Sequence, residues 1–396
     1  MSRTFHVLTE SESFSQRSHD NLAQWVANVI QADKDSIVLA PSSDGTLSFP
    51  PNRIRIVKGL STYRAIYKSC GFMRPGQLLS QFLRRVLSES LQDLKPGDTV
   101  WIHNRPEFAS ALAPFIQQAG ARLFLHIHNA QLLSKYKNLL RNSKADCHIF
   151  NSQEVETEAL QKFPSLGKSA VLSRGLDARE FHPSARHAIR SRSMDAPVEQ
   201  VTVVFSAYLA RENDLQVFLD AMEILRLRQV PVNGTVIGGP SPEQRKLKPN
   251  QKDRRINVPS NVAFENYDSP AALGRKLRAS ELFCVPSSWH DTASLYLLEA
   301  LACGLPVVAT AGAGTREETA DTPGIVVVPN AAERLAQAVQ ELVEDSAARQ
   351  NMANMAYSSY TTQYMWHHTR ASYRSVLASS ALTSSAKLQL EELIPG

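Results

Sequence analysis

The chain has 396 residues, room for two domains of ordinary size, and its 43% hydrophobic and 20% charged content excludes a disordered or fibrous protein. A net charge of +5 and a pI near 9.0 favour anionic partners, phosphate-bearing small molecules or anionic lipid head groups ahead of nucleic acid. Cys70, Cys147, Cys284 and Cys303 have neither close pairing nor metal-ligand spacing, and no stretch has the character of a signal-peptide core or a membrane span, so a reducing cytosol is the expected setting.

Residues 5–9 read as a first strand, 11–20 as a polar, Ser-rich loop, and 21–31 as a helix with Leu22, Trp25, Val26, Val29 and Ile30 at helical spacing. Strands are expected at 36–40 and 53–57, then an amphipathic helix at 79–91 with Arg84 and Arg85 on its polar side. The strand 98–103 runs into His103-Asn104-Arg105-Pro106, where the proline ends it and a helix through 116 begins. In the strand 122–128, His126 and His128 lie two apart and share a face. Polar residues at the carboxyl ends of strands in an open α/β sheet point into the ligand crevice, which makes His103, His126 and His128 candidates; a hydrogen-bonded core histidine is the other reading of each. A strand at 146–151, a helix at 152–163 and a strand at 169–172 follow, then a turn and a proline stop at Pro183. Residues 183–200 are rich in Ser, Arg and Pro and read as an exposed hinge.

The alternation resumes with a strand at 201–206 and a helix at 215–226 that buries Phe218, Met222 and Leu225. A strand at 234–237 ends in Gly238-Gly239-Pro240, where glycines allow a ligand close to the backbone or simply make a turn. Residues 245–255 form a basic surface loop without interleaved aromatics or a known module, so nucleic acid is not an expected partner. A strand at 261–264 leads to Asn266 and Tyr267. The apolar run 282–285 is a strand broken by Pro286, Ser287 and Ser288; Asp291 and Thr292 are N-cap types before an apolar helix at 295–303. Gly304 closes that helix and 305–309 is a further strand, giving a βαβ unit with parallel strands. Glu299 is the only charge in the helix, and an unbonded carboxylate there costs several kcal/mol or more. Asp291 lies two helical turns earlier, about 12 Å if the span is helical. Free N–H groups at a helix start, between two carboxylates, match the sugar, diphosphate and ribose of a nucleotide sugar. An N-cap aspartate plus a glutamate paired with an internal cation fits the spacing equally. After Thr310 comes a glycine-rich turn through Gly314, then a strand at 325–328 and helices at 331–343 and 352–377; residues 379–396 carry no clear signal.

Pro286-Ser287-Ser288, Asp291-x7-Glu299 and Leu298-Glu-Ala-Leu-Ala-Cys-Gly-Leu-Pro-Val-Val-Ala-Thr310 resemble the signature of glycosyltransferase family 4, retaining enzymes of the GT-B fold. The usual pattern there is Glu-x7-Glu, so Asp291 is one methylene shorter. The resemblance implies an α/β protein of two doubly wound Rossmann-like domains facing a cleft. Its parts would be an acceptor-side domain at 1–184, a linker at 185–200, a donor domain at 201–355, a C-terminal helix at 356–380 returning to the first domain, and a tail at 381–396. It further implies that Asp291 holds donor-sugar hydroxyls, Glu299 the ribose, and the backbone of Thr292, Ala293, Ser294 and Leu295 the diphosphate. Gly314 would border the diphosphate, and Tyr267 would either stack on the base or pack in the core; Gly238 is a donor-side candidate from the close approach its glycine turn allows. His128 would face the donor sugar, with Arg17, His19, His103 and Asn129 on the acceptor side. The family's diphosphate-binding Arg and Lys align with Ala207-Tyr208-Leu209 and Asn213, so both are replaced. Arg211 between them is either a substitute cation or a surface arginine.

The implied function is retaining transfer of a sugar from a nucleotide-sugar donor to an acceptor hydroxyl, in glycan, glycolipid or other glycoconjugate synthesis. The departing diphosphate itself helps deprotonate the acceptor, so no protein base is needed. No Asp-x-Asp metal motif is evident, so no metal is expected to be required, and no cofactor, the nucleotide sugar being a substrate. The rival expectations are a catalytically silent binding or partner protein and a nucleotide-sugar isomerase or hydrolase, both on the same fold. Peripheral contact with an anionic membrane surface at the inner face is the further expectation from the charge.

Overall fold

The computed structural model describes the chain apart from residues 1, 12, 15–21, 46–48, 70–76, 129–130, 177, 184–199, 207–211, 239–256, 268, 286–294, 312–321 and 392–396. The first unit, Met1–Gly175 with Trp366–Gly396, is built on a parallel sheet of β1 (Thr4–Val7), β3 (Ser36–Ala40), β5 (Ile54–Ile56), β6 (Thr99–His103), β7 (Arg122–Ile127), β8 (Cys147–Phe150) and β9 (Ser169–Val171). Two short strands, β2 (Ser13–Phe14) and β4 (Ser42–Ser43), pair with each other outside it. The sheet order is β5-β3-β1-β6-β7-β8-β9. The chain thus builds outward from β1 on one side and restarts at β6 on the other, which puts the topological switch point between β1 and β6.

Alternate residues of these strands feed two cores. Phe5, Val7, Val100, Ile102, Leu123 and Leu125 point to helices Lys58–Ser69, Gln77–Ser90, Pro106–Gln118 and Gln153–Lys162. Trp101, Phe124 and Ile149 point the other way, to Trp25 on helix Leu22–Val29 and to Tyr373 and Val376 on helix Trp366–Glu391. Strands covered on both faces read as continuous apolar runs, which is why they were visible in the sequence.

The second unit, Leu176–Met365, carries β10 (Val201–Ser206), β11 (Val232–Ile237), β12 (Val262–Glu265), β13 (Leu282–Val285), β14 (Val307–Ala311) and β15 (Ile325–Pro329). They form a parallel sheet in the order β12-β11-β10-β13-β14-β15, with its switch point between β10 and β13. Helices Glu212–Leu227 and Ala332–Glu344 cover one face around Phe205, Phe218, Cys284 and Leu335. Helices Pro270–Arg278 and Leu295–Ala302 cover the other, around Phe283, Leu298 and Tyr360.

Three boundaries differ from those expected. Leu176 and Phe181 pack into the second unit's core, so the change of unit falls at 175/176 and not at 184. The expected helix 352–377 is two helices, Ser346–Gln363 and Trp366–Glu391, interrupted at Tyr364 and Met365, the first in the second unit and the other in the first. Helix Trp366–Glu391 also runs through part of the segment that carried no signal. The hinge and the basic loop lie, apart from their edges, outside the described residues.

Candidate functional site

Histidines gather at the carboxyl ends of the strands beside the switch point of the first unit. His6 lies in β1, His103 ends β6, His126 lies in β7 and His128 follows its last residue. His103 is directly opposite His126 in the parallel register. His6, His103 and His126 are fully buried and His128 is half-buried. A hydrogen-bonded row joins three of them, with His126 beside it: Tyr373 Oη to His6 Nε2 at 3.0 Å, His6 Nδ1 to His103 Nε2 at 3.1 Å, and His103 Nδ1 to His128 Nε2 at 3.0 Å. Burial disfavours the imidazolium form, so the pKa of His6 is pushed down to about 3 and those of His103, His126 and His128 fall well below the usual histidine value. The row is a set of neutral imidazoles.

Backbone and amide groups hold this row in place. Asn104 adopts a left-handed conformation with φ 55°, which asparagine tolerates better than most residues. Its N–H donates to His126 O at 2.8 Å, and its Oδ1 accepts from the N–H of His128 at 2.7 Å. Asn151 Nδ2 donates to the carbonyl of His128 at 2.9 Å, which turns its Oδ1 toward His126 Nε2 at 3.1 Å. An amide oxygen only accepts, so His126 carries its proton on Nε2. Trp25 meets His103, His126 and His128 edge-on, with ring centroids 5.7, 4.7 and 5.1 Å away. Next along the chain, Arg105 pairs with both oxygens of the buried Glu10. Burial opposes its charge, but Glu10 and Glu107 outweigh that and hold the guanidinium pKa above its ordinary value.

His128 therefore reaches the strand-end position expected of it. His103, expected to contact an acceptor, is fully buried and has both ring nitrogens engaged by other histidines. His6, Asn104, Asn151 and Tyr373 were not singled out from the sequence. For Asn104 a local signal existed, an Asn-Arg-Pro stop after an apolar strand; His6 and Tyr373 are brought together only by the fold.

In the second unit, the segments leaving β10 and β13 at the switch point, 207–211 and 286–294, lie outside the described residues. With them go Tyr208, Arg211, Asp291, Thr292, Ala293 and Ser294; Gly314, Arg17, His19 and Asn129 are likewise outside. Helix Leu295–Ala302 follows β13 and opens with Leu295, half-buried. Glu299 is 4% exposed on it, among Leu297, Leu298, Ala300 and Leu301. Cys303 feels that carboxylate: burial first, then the Glu299 charge, push its thiol up to about 12. Gly304 ends the helix at φ 70°, and the N–H of Leu305 reaches back to Ala300 O at 3.0 Å. Gly238 ends β11 at φ 74° with its N–H on Glu265 O, so a side chain there would be strained. Tyr267 hydrogen-bonds through its hydroxyl to that of Tyr296 at 3.2 Å and packs against the core beneath the helix.

Residues 189–359 match the model of the glycosyl transferases group 1. Among curated relatives, the chain is 26% identical over 233 residues to the D-inositol 3-phosphate glycosyltransferase of Corynebacterium urealyticum, covering 57% of this chain and 54% of that one. It is 26% identical over 320 residues to the GDP-mannose-dependent alpha-(1-6)-phosphatidylinositol monomannoside mannosyltransferase of Mycobacterium tuberculosis, covering 77% and 80%. The chain spans about half the length of the first of these. Among solved structures, Anabaena HepE in complex with UDP and glucose is similar with a TM-score of 0.63 at 16% identity, over 96% of this chain and all of that one. That likeness establishes the fold, two Rossmann-like units of the GT-B type.

Proposed function

We propose that this chain, whose residues 189–359 carry a group 1 glycosyl transferase domain, moves a sugar from a nucleotide-sugar donor to an acceptor hydroxyl. The observation that carries the reading is Glu299, a carboxylate 4% exposed in an otherwise apolar helix that follows the strand at the second unit's switch point. Ligands of open α/β sheets bind outside the carboxyl ends of the strands at that point, and a ribose supplies the hydroxyls a buried carboxylate accepts from. Asp291 and His128 are proposed to position the sugar, with the backbone N–H groups of 292–295, and Arg211, taking the diphosphate. Those groups stabilise the charge that grows on the leaving diphosphate, and holding both substrates in register removes the entropy of encounter. Retention at the anomeric carbon and independence of a metal for the transfer are part of the proposal. Relatives named for inositol phosphate and phosphatidylinositol mannoside substrates make a polyol phosphate or a lipid-linked sugar the first acceptors to try.

The experiment is a thermal-shift screen with UDP, GDP and ADP, followed by turnover of the matching nucleotide sugars. Binding a ligand at a hundred times its Kd stabilises the native state by about 2.7 kcal/mol, a plainly visible shift. Glu299→Ala is expected to abolish that shift while leaving the ligand-free melting point within a few degrees; an unchanged shift overturns the ribose role. The sequence also favours a second reading. The Arg and Lys that the resemblance leads one to expect are replaced by Tyr208 with its neighbours and Asn213, which suits a binding protein without turnover. A donor that binds but releases no nucleoside diphosphate, with any acceptor or none, selects that reading.

A further inference from the structure

We propose that His103, His126 and His128 of the first unit form a binding site for a divalent transition-metal ion of zinc's kind. His126 and His128, two apart at the end of β7, present their rings on one face, and β6 places His103 directly opposite His126. One ligating nitrogen from each lies within 4.8 Å of the others, the one such cluster among the described residues. His103 Nδ1 and His128 Nε2 are 3.0 Å apart. Two nitrogens at 2.0–2.1 Å from a tetrahedral zinc stand roughly 3.3 Å apart, so small ring movements admit the ion between them.

The protonation pattern points the same way. Asn151 fixes the proton of His126 on Nε2, because its own Nδ2 is committed to the carbonyl of His128. His126 Nδ1 is then a bare lone pair, fully buried and without a hydrogen-bond partner. Leaving such a group unbonded in a dry interior is costly, and a metal ion would recover that cost. Histidines that bind metals almost always anchor their other nitrogen, and two of the three do. His126 Nε2 is held by Asn151, and His103 Nε2 by His6, which is itself held by Tyr373. In the tautomer where Tyr373 accepts from His6 Nε2, His103 Nε2 donates to His6 Nδ1 and His103 Nδ1 accepts from His128 Nε2; an entering ion takes both facing nitrogens and sends the His128 proton to its unpartnered Nδ1. Three neutral imidazoles with Trp25 walling one side and half-buried His128 on the other make a three-ligand site with an open fourth position. Imidazole donors select zinc, copper, nickel or cobalt over magnesium or calcium.

The test uses the full-length protein, stripped with chelator and titrated with zinc by calorimetry and with cobalt by visible absorption. One ion per chain is expected, with the strong visible bands of tetrahedral cobalt. His126→Ala and His128→Asn should each weaken binding by more than 100-fold, and Asn151→Ala by 10–100-fold. His367→Ala combined with His368→Ala, which removes the adjacent pair on helix Trp366–Glu391, should leave it unchanged. Circular dichroism of the stripped variants separates lost ligands from lost fold, and His128, being half-buried, is the substitution best tolerated. No stoichiometric binding to the stripped wild type, an octahedral cobalt spectrum, or binding that survives both His126→Ala and His128→Asn overturns the proposal.

Discussion

Asn104 shows how a single residue sets the end of a strand. Its left-handed φ lets its N–H close onto His126 and its side chain onto His128. Asn104→Gly keeps the backbone and loses the side-chain bond, for an expected cost of about 1 kcal/mol; Asn104→Ala adds left-handed strain, for about 2–3 kcal/mol in all. Urea unfolding of the two variants measures the difference. Asp93 carries a pH signature. Hydrogen bonds from Arg55 lower its pKa, burial opposes them, and Arg3 adds to the lowering. A carboxyl more acidic in the folded state contributes stability that is present above its unfolded pKa of 3.8 and fades as pH falls through the folded value. The melting-point gap between wild type and Asp93→Asn should therefore be widest near neutrality and narrow below pH 3.8; because Asp93 is 39% exposed, salt should shrink it too. The buried thiols make a further expectation. Burial pushes Cys147 up to about 11 and Cys284 and Cys303 to about 12, so all three should resist alkylation at pH 8 until the protein is unfolded, as mass spectrometry of labelled peptides would report. Single residues are also where reading from sequence stopped. His128 was legible because a polar residue ended an apolar strand. His6 was not, because its partners are 97 and 367 residues away and only the β1–β6 register brings them together.

At the scale of elements, apolar runs were reliable guides. The strand 282–285 was found at its own bounds, and Ser152, where a helix was expected to begin, caps it; helix Pro270–Arg278, capped by Ser269, was not singled out. Helix Lys58–Ser69 escaped notice because its inward face is carried by little more than Leu60 and Tyr63, a short amphipathic signal in a polar stretch. The interruption at Tyr364 and Met365 escaped too, since neither Gly nor Pro marks it. Gly324 shows what fixes helix Ser346–Gln363 in place. It sits at φ 92°, and a Cβ there would lie 2.5 Å from the backbone of Ala356; Ser359 meanwhile donates to Pro323 O at 2.9 Å. Gly324→Ala combines strain with a backbone collision and is expected to cost about 3 kcal/mol or more, read as a lower urea midpoint at unchanged slope.

For the whole molecule, two runs of alternating strand and helix announced two doubly wound sheets, because a parallel strand needs a crossover and both faces covered. The resemblance led to the expectation of a helix at 356–380 returning to the first domain; no local signal in the residues foretold it. The first unit is made of residues 1–175 and 366–396, and the returning helix supplies Tyr373 and Val376 to its core and Trp366 against Gly175. A chain ending at Met365 should retain a folded second unit and a loosened first one. Limited proteolysis is expected to cut within 1–175 first and spare 200–365; equal resistance of both would show that the helix adds little.

That discontinuity has a consequence for biogenesis. While the ribosome still has about 190 residues of the second unit to add, the opening 175 cannot be completed. At about 5–20 residues per second the delay is roughly 10–40 s, during which the Trp25 and Trp101 side of the first sheet lacks its covering helix. Chaperone dependence in the cell should accordingly fall on the first unit of the nascent chain, and a pulse of newly made protein should bury those tryptophans only after helix Trp366–Glu391 has left the ribosome.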